Sequence, residues 1–506
     1  MSLETALRRL GNALRSLLVA LLLVAVGFYL HYLWAGPALE PWHRAGLDAE
    51  FTAADYRDGR VTTLAQYRAR ERELQRQLDL EIRSRVTLHE HRPFERYAAG
   101  SRSDPAVWPT NWNMTYVLEP AVAPRGGVLL LHGLTDSPYS LRSLGAVLVA
   151  DGWRVIGLRL PGHGTAPAGL LRFEPEDLRA ATRLAMLDLR RSLGPDRPIA
   201  VIGYSNGAAL AVDYALDARD DDALPRPSRL VLVSPAIGIT RLAALGRIRT
   251  GLSDLQGFGR AAWQTVEPEI DPFKYQSFPW HAAGVTQRLT SSLTRRLARL
   301  AEQGPVRGLP PTLAFVSTVD STVQAGKVAD ALLDKLAAEG HELVLFDVNR
   351  WSLVQTLLVE DPGPLTRRLL ERPRRPYALT LVTNQSTATP LVEERRVPAF
   401  ATEARHRPLG VEWPRSVFSL SHVALPFPPD DPLYGYDAPP AERHVQLGRL
   451  EARGENGVLA VPNWLLTRQR SNPFHGYLVE RVRGWLEAPV QAGDTTRELA
   501  TEGASR

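Results

Sequence analysis

The chain has 506 residues, 44% of them hydrophobic, which is enough apolar side chain to bury a substantial core and excludes disorder throughout. Lys and Arg number 60 against 55 Asp and Glu, a formal charge of +5 that is small for this length, and no dense basic block accompanies it, so no nucleic-acid partner is expected. Cys is absent, which excludes disulfides, thiol nucleophiles, Cys-ligated metal and lipid attached through Cys.

The first predicted element is a membrane helix. Residues 1–15 form a short tail carrying Arg8, Arg9 and Arg15, and the run from Leu17 through Trp34 holds no Asp, Glu, Lys or Arg. As a helix this run of about 18 residues is about 27 Å long, sufficient to cross a bilayer. Phe28, Tyr29, Tyr32 and Trp34 crowd its C-terminal end, as interfacial aromatic rings do. The Arg residues precede the run and only Arg44 follows closely, which predicts a single-pass anchor at 16–34. The N-terminus is then cytoplasmic and the remainder extracytoplasmic, or periplasmic in a Gram-negative cell. A cleaved signal peptide is the competing reading, with Gly36 and Ala38 as small residues for a cleavage site.

Residues 35–125 read as a juxtamembrane helical region. Leu64, Tyr67, Leu74, Leu78 and Ile82 recur near helical spacing among Arg and Glu, which predicts one long amphipathic helix packed on the domain that follows. The stripe spans too few heptads to favour a coiled coil, the sharper alternative.

From Gly126 onward short apolar runs alternate with helical stretches. The runs are Val128 to Leu131, Val155 to Leu160, Ile199 to Ile202, Leu230 to Val233, Thr312 to Ser317 and Leu343 to Val348. Runs this apolar suit strands buried on both faces, and intervening stretches such as Asp177 to Leu193 are long enough for crossovers. The expected class is therefore α/β, a mostly parallel sheet with helices on both faces, spanning 126–487. Insertions at about 238–309 and 351–414 interrupt it. The first is helical and aromatic and reads either as a lid or as a segment packing its own small core; the second is rich in Arg and Pro. Residues 488–506 lose periodicity and read as a flexible tail.

The strongest motif is Gly203-Tyr204-Ser205-Asn206-Gly207, set between the run Ile199 to Ile202 and a helix beginning at Asn206. A nucleophile on a sharp strand-to-helix turn needs a strained backbone, and flanking glycines remove side chains that collide across it. The sequence here resembles a serine alpha/beta-hydrolase, nearest the carboxylesterase, monoacylglycerol lipase and lysophospholipase group, which overlaps the serine aminopeptidases. The resemblance covers Gly127 to Ala236 and resumes around Thr312 to Val328 and Ser416 to Phe427, well under half of the chain.

What the resemblance implies is specific. Leu131-His132-Gly133-Leu134 is similar to the family's strand followed by an HG turn, so the backbone N–H groups of Leu134 and Asn206 are the implied oxyanion hole. Asn206 stands where Met or Leu is frequent, a departure that leaves the N–H in place. His132 and His163 are expected to shape turns. A serine hydroxyl needs an imidazole to take its proton and a carboxylate to orient that imidazole, in the chain order Ser, acid, His. Asp320 lies in a segment similar to the family's acid loop, with Asp347 as the substitute candidate, and His422 lies in one similar to the terminal His loop.

The expected catalytic set is Ser205, Asp320 and His422, with Phe273, Tyr275, Phe278 and Trp280 of the first insertion as substrate-binding residues and no metal or other cofactor. The expected partners are a small-molecule or lipid ester and the membrane. The leading reading is a membrane-anchored serine hydrolase of carboxylic esters acting through an acyl-enzyme. A peptidase of the aminopeptidase type would need an acidic group to hold the substrate amine, for which Glu267, Glu269 and Asp271 are candidates against a reading as a solvated acidic loop. A scaffold that kept the fold without turnover is the non-enzymatic alternative.

Overall fold

The computed structural model describes residues 11–24, 26–27, 37–89, 93–237, 259–320, 322–351, 363–372, 374–450 and 468–489. In chain order the strands are β1 (Tyr116–Leu118), β2 (Gly126–Leu131), β3 (Trp153–Leu158), β4 (Ile199–Tyr204), β5 (Arg229–Val233), β6 (Trp263–Thr265), β7 (Phe278–Pro279), β8 (Thr312–Ser317), β9 (His341–Phe346), β10 (Tyr377–Asn384), β11 (Leu391–Val397) and β12 (Arg405–Glu412). All except the β6–β7 pair join one sheet in the order β1-β3-β2-β4-β5-β8-β9-β10-β11-β12. From β3 to β10 every neighbour is parallel, while β1, β11 and β12 pair antiparallel.

Strands β2, β4, β5, β8, β9 and β10 are buried at every position because helices cover both faces. Alternation divides their side chains. Leu129, Leu131, Val201 and Leu232 face helices Pro175–Leu193, Asn206–Asp220 and Trp280–Ala301. Val128, Leu130, Ile202 and Val231 face helices Arg142–Ala150 and His475–Glu487. Each such side chain contributes about 1.5–3 kcal/mol by leaving water, so this two-sided core dominates the stability. The chain order reverses at β2, whose neighbours are β3 and β4, and the loops leaving the carboxyl ends of β2 and β4 diverge there to open a crevice.

Helix Leu64–Glu81 forms where the Leu64, Tyr67, Leu74 and Leu78 stripe predicts it, capped by Thr63, which accepts from the Gln66 N–H. Its buried face includes a carboxylate. Glu71 accepts from Arg159 Nε at 3.1 Å and from Thr115 Oγ1 at 2.6 Å, so the helix is fastened to the segment after β3 by charge as well as by apolar contact.

Two expectations change. Of the first insertion, the described part holds the β6–β7 hairpin and the 22-residue helix Trp280–Ala301, whose Val285, Leu289, Leu293 and Leu297 are buried in the main core. That helix is a layer of the domain; residues 238–258 lie outside the described residues. The second insertion extends the sheet: β10 adds parallel to β9, and β11 and β12 return as an antiparallel meander. The chain then comes back to where it left, since the Asn349 N–H donates to the Phe418 carbonyl at 2.7 Å.

At the N-terminus residues 11–24 and 26–27 are helical, and Leu17, Leu18, Leu21, Leu22 and Leu23 are exposed. The rest of the expected 16–34 span lies outside the described residues, as do residues 490–506 of the expected tail. Among the described residues no helix is long and apolar enough to cross a membrane.

Candidate active site

Ser205 follows β4 directly and caps helix Asn206–Asp220 with φ 53°, a left-handed value that a non-glycine residue adopts only when its surroundings enforce it. The enforcement is visible. The Ser205 N–H donates to the Val233 carbonyl at 2.9 Å, and the Ala236 N–H donates to the Ser205 carbonyl at 3.0 Å. A Cβ on Gly203 would stand 2.4 Å from the Gly207 carbonyl oxygen, and one on Gly207 would stand 2.2 Å from that of Leu131. Both glycines are thus needed for the turn to close against β2.

The hydroxyl so presented meets His422. Ser205 Oγ lies 2.9 Å from His422 Nε2, and His422 Nδ1 lies 2.8 Å from Asp320 Oδ2. An ionised carboxylate only accepts, so Nδ1 carries the proton and Nε2 of the neutral ring accepts from the serine hydroxyl. Asp320 follows β8 and is turned to this task by its own loop: Oδ1 accepts from the Thr322 and Val323 N–H groups, each at 2.8 Å, leaving Oδ2 for the imidazole. Asp347, the substitute acid, is bound to Arg350 at 2.9 Å and to Thr383 Oγ1 at 2.8 Å.

His422 sits on the segment after β12. The Asn349–Phe418 bond anchors that segment beside the end of β9, and Tyr204 Oη donates to the His422 carbonyl at 3.4 Å. The end of β2 completes the crevice. His132 is buried and held neutral by desolvation, its pKa well below the usual imidazole value; Nε2 accepts from the Leu160 N–H at 3.0 Å, fixing the turn that carries Gly133 and Leu134. A Cβ on Gly133 would lie 3.2 Å from Ser205 Cβ, so this turn runs against the serine. The first N–H groups of a helix lack intrahelical acceptors, and Asn206 is the first residue of the helix that Ser205 caps. His163 is likewise buried, and desolvation lowers its pKa to about 4.

Of the expected substrate-binding aromatics, Phe273 is buried, stacked on Tyr139 at 4.4 Å between ring centroids, and Tyr275 is buried with its hydroxyl accepting from the Thr165 N–H at 2.7 Å. Phe278 and Trp280 are half-buried. Sequence reasoning passed over the residues between these rings. Lys274 and Gln276 alternate with Phe273 and Tyr275 and line an open cleft together with Val423, which follows His422. Their signal was the alternation itself: in an extended segment the buried rings and the open positions take opposite sides.

The acidic loop is not solvated. Glu269 and Asp271 are fully buried. Glu269 accepts from the Gln276 and Ser277 N–H groups, and desolvation, opposed by Arg96, raises its pKa to about 7. Asp271 accepts from Tyr434 Oη at 2.6 Å. Glu267 is half-buried, and among the described residues no cluster of His, Asp and Glu suits a metal ion.

This sheet and this arrangement at the ends of β2, β4 and β8 are those of the alpha/beta-hydrolase fold, and the chain is similar to the esterase and monoacylglycerol lipase group of that fold. Residues 122–350 match the family model described as serine aminopeptidase, S33. A thermostable monoacylglycerol lipase of Bacillus sp. (strain H-257) is 28% identical over 229 residues, 45% of this chain and 83% of that one. The magnesium-chelatase 30 kDa subunit of Rhodobacter capsulatus is 32% identical over 131 residues, 25% of this chain and 40% of that one. The solved monoacylglycerol lipase of Paleococcus ferrophilus is 18% identical with a TM-score of 0.34, covering 46% of this chain and 88% of that one. The family match ends at residue 350, before β10, so the sheet extension and His422 lie outside it.

Proposed function

We propose that the protein is a serine esterase that cleaves a carboxylic ester, acyl or lipid-like, through an acyl-enzyme. The observation that carries this reading is the unbroken chain Ser205 Oγ, His422, Asp320 with links of 2.9 and 2.8 Å. Ser205 Oγ attacks the ester carbonyl as Nε2 takes its proton, Asp320 stabilises the imidazolium, and the Leu134 and Asn206 N–H groups hold the developing oxyanion. The carbonyl–alkoxy bond breaks and Nε2 returns the proton to the departing alcohol; water then attacks the acyl-enzyme by the same route. The similarity to a monoacylglycerol lipase supports a lipid-like acyl group. Aminopeptidase action finds less support, because Glu269 and Asp271 already hold internal hydrogen bonds and are closed to a substrate amine.

The exposed leucines of residues 17–23 and the Arg residues before them support anchoring of the enzyme to a membrane through the apolar 16–34 segment, with the hydrolase domain extracytoplasmic. Hydrolysis of p-nitrophenyl esters tests the activity. Apolar burial favours the longer acyl chain by at most about 0.8 kcal/mol per methylene, so kcat/KM is expected to rise roughly tenfold from a four-carbon to an eight-carbon acyl group after desolvation costs. Release of amino-terminal residues from peptides without ester hydrolysis would overturn the reading.

A further inference from the structure

The cleft beside His422 is cationic. Val423, Phe427 and Tyr434 give it apolar walls, and Lys274, Arg468 and Arg470 bring three positive side chains to it. The cleft belongs to the catalytic end of the sheet. Val423 is bonded to His422, Lys274 Nζ binds Asp136 at 2.8 Å on the turn that carries Leu134, and the Arg468 charge reaches Tyr204, the residue before the nucleophile.

Among the described residues not all of this charge is balanced. Asp136 answers Lys274, and the buried Asp271 faces Arg470. Arg468 is half-buried and has no hydrogen bond or ion pair among the described residues. Its backbone is nevertheless held in place: the Gln469 carbonyl accepts from Ser421 Oγ on the His422 loop, and the Asn472 N–H donates to the Phe427 carbonyl at 2.8 Å. A half-buried guanidinium on a fixed backbone, with no partner among the described residues, is a recognition element for an anion.

The side of the cleft decides which part of the substrate it meets. His422 Nε2 must deliver a proton to the leaving oxygen, so the alcohol portion of the ester lies toward His422 and Val423. We propose that Arg468, with Lys274 and Arg470 beside it, forms an anion subsite for the leaving group, so that the substrate is an acyl ester whose alcohol carries a phosphate or a carboxylate. This rests on the esterase reading and names its substrate class. The reaction is unchanged in its balance: the acyl carbon passes from the alkoxy oxygen to Ser205 Oγ and then to water, the Oγ proton goes to the alcohol, and the anionic group leaves intact on that alcohol.

The test measures binding and turnover separately on the full chain. By calorimetry, glycerol 3-phosphate and glycerate are offered as probes of the two anions, with glycerol as the neutral control. At least one anion is expected to bind at least about tenfold more tightly than glycerol, and to weaken at least about tenfold in Arg468→Gln and further in Arg468→Glu. In parallel, kcat/KM for a 1-acylglycerol 3-phosphate, and for an O-acylglycerate of the same chain, is divided by that for the neutral monoacylglycerol. The larger ratio should exceed about ten and fall toward one in Arg468→Gln. Binding indifferent to charge, or equal in wild type and both variants, overturns the subsite even where Ser205-dependent hydrolysis of the neutral ester persists. Charge-dependent binding in a protein that cleaves none of the three esters leaves the subsite standing and overturns the esterase reading.

Discussion

Ser205 and His422 each make a bond whose loss leaves no substitute, because His132 and His163 are fixed in turns and buried neutral. Ser205→Ala or His422→Ala is expected to lower kcat by roughly 10⁴ to 10⁶ while leaving the fold in place, as read by circular dichroism, with Asp320→Asn costing somewhat less. A His281→Ala variant that abolished turnover while His422→Ala spared it would reassign the base; His281 Nε2 instead contacts the Phe173 carbonyl at 2.8 Å. At this scale the sharp turn at Ser205 was plain in the sequence, since Gly203 and Gly207 flank it where any side chain would collide across the turn. Arg468 was not, because a single Arg in a chain rich in Arg carries no pattern of its own; only folding brings it to Val423.

The elements legible in the sequence were those with one dominant signal. The runs that became β2, β4, β5, β8 and β9 are buried on both faces and need no partner to be read. β11 and β12 escaped notice because their charges are satisfied across space. Glu342 on β9 takes Arg481 Nη2 at 2.7 Å and Arg396 Nη2 at 3.2 Å, while Glu394 on β11 takes Arg407 Nη2 at 3.0 Å and Tyr477 Oη at 2.7 Å. β10 was hidden between Arg- and Pro-rich flanks and by Thr380 and Thr383, whose hydroxyls donate to the Glu342 and Asp347 carboxylates. Arg481 links the C-terminal helix to both Glu342 and Glu394, so Arg481→Met leaves two buried carboxylates with fewer cations. A loss of about 2–3 kcal/mol is expected in urea unfolding, below the full cost of breaking a buried pair because Arg396 and Arg407 remain. An unchanged midpoint would show that the extension is held by apolar contact alone.

Among the described residues burial holds five histidines neutral: His132 well below the usual imidazole value, and His43, His163, His341 and His475 lowered to about 4, for each chiefly by desolvation. The unfolded chain binds those protons near pH 6.5 and the folded chain only near pH 4, so stability is complete above about 6.5 and falls as pH drops toward 4. Each histidine contributes up to roughly 3 kcal/mol across that window. Glu269 acts in the opposite sense, its raised pKa of about 7 favouring the fold at low pH and losing that contribution as pH rises from about 4.5 to 7. Burial raises Glu71, Asp177, Glu267 and Asp271 in the same sense as Glu269, but a free carboxylate titrates at the low edge of this window whereas five histidines titrate across it from about 6.5, so the urea midpoint is expected to be lower at pH 5 than at pH 7; an equal or higher midpoint contradicts this assignment. At the same scale, alkaline phosphatase fused after Arg506 is expected to be active in cells, and a stable but inactive fusion would reverse the proposed topology.

The central claim is that Ser205 is an activated nucleophile, and covalent capture reads this directly. The full-length protein and Ser205→Ala are treated with an active-site-directed fluorophosphonate, and the adduct is located by mass spectrometry of the digested chain. One phosphonyl group on Ser205 in the wild type and none in the variant is the predicted result. A wild type that stays unlabelled, or a variant labelled to the same extent, contradicts the account.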